Sequence, residues 1–112
     1  MSRPQLNRHL MLEQETQTAD RAGGFLQDWT VVGAHWADIQ PGSGRETSGR
    51  GASVSRVAFK ITMRSAPIGS DARPKAGQRF RGHGQIYAIH AVSESSAGAR
   101  YLTCTTTQET VA

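Results

Sequence analysis

Along this chain apolar and polar residues alternate with a period of two in several separate stretches, the spacing of half-buried β-strands. In Leu6–Glu15, Leu6, Arg8, Leu10 and Leu12 share one face, and Asn7, His9, Met11 and Glu13 the other. In Asp28–Ile39, Trp29, Val31, Gly33, His35, Ala37 and Ile39 alternate with Thr30, Val32, Ala34, Trp36 and Asp38. Both faces of this second stretch are largely apolar, as in a strand covered on both sides. Asp20-Arg21-Ala22-Gly23-Gly24 between them is a turn signal, so the two stretches are expected to form an antiparallel hairpin. Val54–Arg64 carries Ser55, Val57, Phe59, Ile61 and Met63 on one face, with Arg56, Lys60 and Thr62 on the other. Arg79–Ser93 reads as a fourth strand region, weakened at its start by Gly82 and Gly84, and Tyr101–Thr107 as a last, Thr-rich strand. Ala66–Gly77 is expected as a loop and Ser95–Gly98 as a turn. No long amphipathic helix is predicted.

These elements predict a mainly β fold: a small antiparallel barrel or sandwich of five or six strands, with little helix and a single domain over 1–112. The expected core is Trp36, Ile39, Phe59, Ile61, Ile86, Ile89 and Leu102. Trp29 and Trp36 are seven apart and are therefore expected on opposite sides of their strand, one in the core and one at an interface, where Trp is enriched. A long exposed loop is expected over about 41–53, where Gly42, Gly44, Gly49 and Gly51 deny the chain a packed face and Arg45 and Arg50 add charge. Ser43-Gly44-Arg45-Glu46 has capping-box spacing, which predicts one short helical turn there.

Composition sharpens the picture. Of 112 residues, 37% are apolar and only 6% aromatic, so the core is small and a partner surface would add stability. No apolar run is long enough to span a membrane and no apolar stretch follows Met1-Ser2-Arg3-Pro4, so a soluble, intracellular product is expected. The formal charge of +4 is unevenly spread. Residues 40–85 hold nine cations against Glu46 and Asp71, while the flanking segments are slightly acidic. Arg dominates, which suits phosphate contacts and protein–protein ion pairs alike. No nucleic-acid-binding motif accompanies it.

Candidate chemistry is sparse. His9, His35, His83 and His90 match no zinc spacing, and no metal or other cofactor is expected. Cys104 lacks a Cys-His-Asn signature and is expected to be a buried structural thiol. Gly82-His83-Gly84 and Gly42-Ser43-Gly44-Arg45 lack the Lys-Ser/Thr and strand–helix context of phosphate loops. The acids are scattered, with no pair placed for acid–base work. No catalytic residue is assigned and no enzyme is expected.

The ordered set of segments resembles the head–tail joining (head–tail connector) proteins of long-tailed phages. Leu6-Asn7-Arg8-His9-Leu10-Met11-Leu12-Glu13 is similar to that family's opening strand, and Asp20-Arg21-Ala22-Gly23-Gly24 to its Asp-x-x-Gly-Gly turn. Trp29 followed by Val32-Gly33-Ala34-His35-Trp36-Ala37-Asp38-Ile39 is similar to its Trp-containing strand. Pro41-Gly42-Ser43-Gly44-Arg45-Glu46 resembles its loop start and Phe59-Lys60-Ile61-Thr62-Met63-Arg64 its Arg-ended strand. Arg79-Phe80, Gln85-Ile86-Tyr87-Ala88-Ile89-His90-Ala91-Val92 and Arg100-Tyr101-Leu102-Thr103-Cys104 resemble its last strands. The chain departs from the family at Thr47-Ser48-Gly49-Arg50-Gly51, short and Gly-rich where a longer, more helical stretch is usual.

The resemblance implies a non-enzymatic virion protein, assembled in the bacterial cytoplasm and placed at the head–tail junction of a phage or of a phage-like particle such as a gene transfer agent. It implies a homo-oligomeric ring, hexameric or dodecameric, below the portal and adaptor and above the tail terminator or tail. That ring would act as a stopper for packaged DNA and as a docking surface for the tail. Arg45 and Arg50 are then candidates for sequence-independent DNA contact in the channel, and Trp29 and Glu46 for interface contacts. The alternatives are a related ring component, adaptor or tail terminator, and a free small basic β-barrel that binds nucleic acid.

Overall fold

Six strands pair through antiparallel ladders in the computed structural model, which describes residues 4–42, 54–94 and 100–111. They are β1 (Arg8–Ala19), β2 (Phe25–Pro41), β3 (Val54–Arg64), β4 (Arg79–Gly82), β5 (Gln85–Glu94) and β6 (Tyr101–Val111). The sheet closes on itself in the order β1-β2-β3-β6-β5-β4. Closure decides between the two predicted architectures: the fold is a barrel, and no helix occurs among the described residues. Of the loop expected over 41–53, Pro41 is instead the last residue of β2, paired with Phe59, and Gly42 donates its amide to the Ala58 carbonyl at 2.8 Å. Residues 43–53, with the expected helical turn, and the turn expected at Ser95–Gly98 lie outside the described residues.

The single fourth strand region of the sequence divides in two. Gly82 pairs with Gln85 across His83 and Gly84, whose φ values of 54° and 76° are both positive. Two consecutive left-handed residues make the tight two-residue turn that matches strand twist. Gly82 is needed for a different reason: a Cβ there would lie 2.7 Å from both the His9 carbonyl oxygen and Leu10 Cδ2.

Inside the barrel pack Leu10, Leu12, Ala37, Ile61, Met63, Phe80, Tyr87, Ile89, Leu102 and Cys104, with Val32, Ile39, Phe59 and Val92 against them. Phe59 and Tyr87 meet edge-on at 5.6 Å, a favoured aromatic geometry. Of the expected core, Ile39, Phe59, Ile61, Ile89 and Leu102 are there. Trp36 and Ile86 are not: they are 58% and 43% exposed.

Register explains both corrections. Leu12 pairs with Gly33 but Glu13 with Val31, so Val32 is an extra residue in β2 and the side-chain alternation flips there. Trp36 pairs with His9 and Trp29 with Glu15, both on the outward face of β1. The two tryptophans therefore lie on the same side, not on opposite sides. Ile86 pairs with Arg81 on the outer face, whereas Phe80 and Tyr87 pair inward.

Residues 65–78 connect β3 to β4 and bury Ala66 and Pro74. Arg73 Nη1 donates to the Ala66 carbonyl at 3.0 Å, and the Gln78 side-chain amide donates to Gln14 at 2.7 Å. His35 Nε2 lies 2.7 Å from the Ala72 carbonyl oxygen, which can only accept, so Nε2 carries the proton. Burial, only partly opposed by this bond, lowers the His35 pKa below its ordinary 6.5.

Candidate assembly surface

Past the barrel rim β1 and β2 continue together as an arm. Six residue pairs, from Gln14↔Thr30 to Ala19↔Phe25, extend it by about 20 Å at ~3.4 Å per residue. The molecule is accordingly elongated, with a long axis of 53 Å. The arm ends in the predicted turn. Asp20 Oδ1 accepts the amides of Ala22 at 2.8 Å and Gly24 at 3.0 Å, and Arg21 and Gly23 take positive φ. The amide of Ala22, then that of Gly24, holds the Asp20 carboxyl below its ordinary pKa. Beside the turn, Phe25 and Leu26 are 70% and 60% exposed. The rest of the arm is polar on both faces: Gln14, Thr16, Thr18, Gln27 and Thr30 are all exposed.

At the arm's root sits a charge cluster on the outer face. Glu13 is buried, and it accepts from Arg79 Nε at 2.7 Å and from Arg81 Nε at 2.8 Å. Burial alone would raise the Glu13 pKa, but the two guanidinium hydrogen bonds outweigh it and hold the carboxyl below its ordinary range. The Arg79 guanidinium also lies 4.0 Å from the centre of the Trp29 ring, a cation–π contact. Trp29, the predicted interface residue, is thus half-buried as a clamp on Arg79.

Two hollows of about 500 Å³ flank this cluster, one lined by Trp29, Arg79, Ala88 and His90, the other by His9, Met11, Arg81 and His83. Ile86 borders both. The Trp36 ring lies 5.0 Å from that of His9, which lines the second hollow. His90 Nε2 and Thr107 Oγ1 share a hydrogen bond of 2.7 Å. Among the described residues no three His, Cys, Asp or Glu side chains gather as a metal-binding group. Cys104 lies in the core, and burial pushes its thiol up to about 12. Arg45, Arg50 and Glu46 lie outside the described residues.

Sequence reasoning missed Glu13, Arg79, Arg81 and the arm. One signal was available: Arg79-x-Arg81 on a strand puts both guanidinium groups on one face. Two of the nine cations of the central segment are thereby committed to an internal carboxylate rather than offered to phosphate.

The described residues thus make a small closed barrel with a projecting two-stranded arm and an exposed apolar tip. The model of the phage head completion protein family matches residues 1–109, and the chain belongs to that family. It is 43% identical to a chain in a solved structure of the virion of a native gene transfer agent particle. That alignment covers 98% of this chain and 100% of the other, with a TM-score of 0.82. No curated protein sequence matches. Membership agrees with the resemblance drawn from the ordered motifs and supports a structural role at the head–tail junction and a location in the virion.

Proposed function

We propose that copies of this protein form a ring at the head–tail junction that retains packaged DNA and presents the surface on which a tail docks. The observation that carries this reading is the match to the head completion family over 1–109, joined by whole-chain similarity to a component of a gene transfer agent virion. The barrel supplies a rigid body that can be repeated by rotation, and the arm reaches beyond it toward neighbours. A heterologous contact of this kind closes into a ring when the rotation allows it. The neighbours are the portal or adaptor on the head side and the tail terminator or tail on the other. Arg45 and Arg50 line the channel and touch DNA phosphate without reading sequence. Glu46 stays at the subunit interface.

Deleting the gene in a particle-producing strain tests the role. The expected result is heads without tails and loss of packaged DNA, both restored by the gene in trans. Tailed, filled particles at the normal yield would overturn the proposal. The Arg45→Ala, Arg50→Ala double variant separates the channel role from assembly. Joined particles should form and leak DNA more readily at high salt. Failure to join tails with normal DNA retention per joined particle would move both residues to an interface.

A further inference from the structure

The arm leaves two backbone edges open. β2 pairs with β3 only through Ala37–Pro41, so from Phe25 to Thr30 the side of β2 away from β1 has no strand partner among the described residues. β1 pairs with β4 only through Met11–Glu13, so the far side of Thr16–Ala19 is likewise unpaired. An isolated two-stranded hairpin is marginal in water, and an open edge is a template for further pairing. Natural edges are usually blunted by Lys, Pro or inward charge. This one carries none: Phe25–Thr30 contains Asp28 alone as a charge, and Gln14–Ala19 contains Glu15 alone. Away from its apolar Phe25–Leu26 tip the exposed side chains of the arm are polar, so along most of its length it is the main chain that lacks a partner.

We infer that the open edge of β2 in one copy pairs with the open edge of β1 in the next copy, so that successive arms build one continuous antiparallel sheet around the ring. The inference rests on the ring reading above and says which surfaces close it. Rotation about an axis along the arms keeps all arms pointing one way. The β1 of a neighbour then runs antiparallel to β2, as β1 does within each arm. At equal height the intermolecular pairs repeat the internal register, with Thr16 of one copy opposite Asp28 of the other. Charge favours this arrangement over self-pairing. Glu15 meets Trp29 on one face and Asp28 meets Thr16 on the other, so no like charges are opposed. A dyad that paired β2 with β2 centred on Asp28, or β1 with β1 centred on Glu15, would oppose like charges, which is destabilising. It would also make a closed dimer rather than a ring.

Mixed-cysteine particles test the contact. Cells making particles carry two copies of the gene, one with Asp28→Cys and the other with Gln14→Cys, Thr16→Cys or Thr18→Cys in turn. The three positions cover the small staggers that a tilted ring would introduce, and adjacent strands fall within disulfide reach. Native Cys104 is buried and does not compete. The expected result is a disulfide-linked dimer in oxidised particles for one of the three combinations, absent when either variant is present alone. Particles that contain the protein but no linked dimer in any combination would overturn the pairing and leave the junction role intact. Particles that lack the wild-type protein would overturn the junction role itself. If a variant is excluded from particles, amide exchange of the wild-type chain decides. Outward amides of residues 25–30 should exchange at least tenfold more slowly in particles than in the free chain, and equal rates would refute the pairing.

Discussion

Glu13→Gln removes the charge at the arm's root while keeping side-chain shape and one acceptor oxygen. Glu13 is 4% exposed and binds Arg79 at 2.7 Å and Arg81 at 2.8 Å. Hydrogen bonds to charged groups contribute roughly 1.5–3 kcal/mol each. Arg81 is 52% exposed, so its share sits at the lower, solvent-screened end. Arg79 keeps its contact with Trp29, and the amide oxygen retains about 1 kcal/mol of neutral hydrogen bonding. The net loss is about 2–3 kcal/mol. For a domain near this size, about 4 °C per kcal/mol converts that to a fall in Tm of about 8–12 °C at pH 7. The pH dependence has a definite sign. The folded-state pKa of Glu13 lies below its ordinary 4.5, so the carboxylate stabilises the fold above pH 4.5 and the contribution is lost as pH falls toward the folded value. Thermal unfolding followed by circular dichroism, wild type against variant at pH 7 and pH 3, measures both. A fall of less than about 3 °C at pH 7, or a difference between the proteins that stays the same at pH 3, would refute the assignment.

Three further outcomes are expected. Phe80→Ala empties a fully buried site and should cost about 3–5 kcal/mol, whereas Trp36→Ala, on the surface, should cost no more than about 1; denaturant titration compares them, and equal losses would contradict the face assignment. Cys104 should resist thiol reagents at pH 8 in the folded protein and react fully in guanidinium, because burial pushes its thiol to about 12. His35 should titrate below 6.5 by nuclear magnetic resonance; since burial lowers its folded-state pKa, its neutral form stabilises the fold above pH 6.5 and that contribution fades as pH falls below this value.

Strand positions were legible where one face is apolar and the other wet. Phe59, Ile61 and Met63 on β3, and Leu10 and Leu12 on β1, keep strict alternation and fall where the pattern puts them. On β2 the pattern misled because both faces are apolar and one extra residue, Val32, reverses the alternation; no residue type announces that bulge. The same change occurs on β5, where Ile89 pairs with Thr106 but Ala91 with Thr105, leaving His90 as the extra residue. The outer ends of the arm were missed for another reason. Thr16–Ala19 and Phe25–Gln27 bury nothing within the chain, so no hydrophobic period marks them as strand. Their order comes from pairing with each other. The turn between them was legible, because Asp20 and the two glycines are needed there for backbone reasons that hold locally.

The bulge and the charge cluster act on the same feature. Without Val32 as an extra residue, Trp29 would face the barrel's interior side and could not cover Arg79. With it, Trp29 holds Arg79, Arg79 holds Glu13, and Glu13 holds Arg81, which ties β2, β4 and β1 together where the arm leaves the barrel. At Met11–Glu13 β1 is paired on both sides; from Gln14 to Ala19 its strand partner is β2 alone. The cluster therefore sits where a polar two-stranded arm would otherwise bend freely, and it fixes the arm's direction relative to the barrel. In the proposed ring, where each copy would meet identical neighbours at one repeated angle, that direction would matter more than the arm's own stability. The inferred edge pairing would then supply the stability as the copies come side by side.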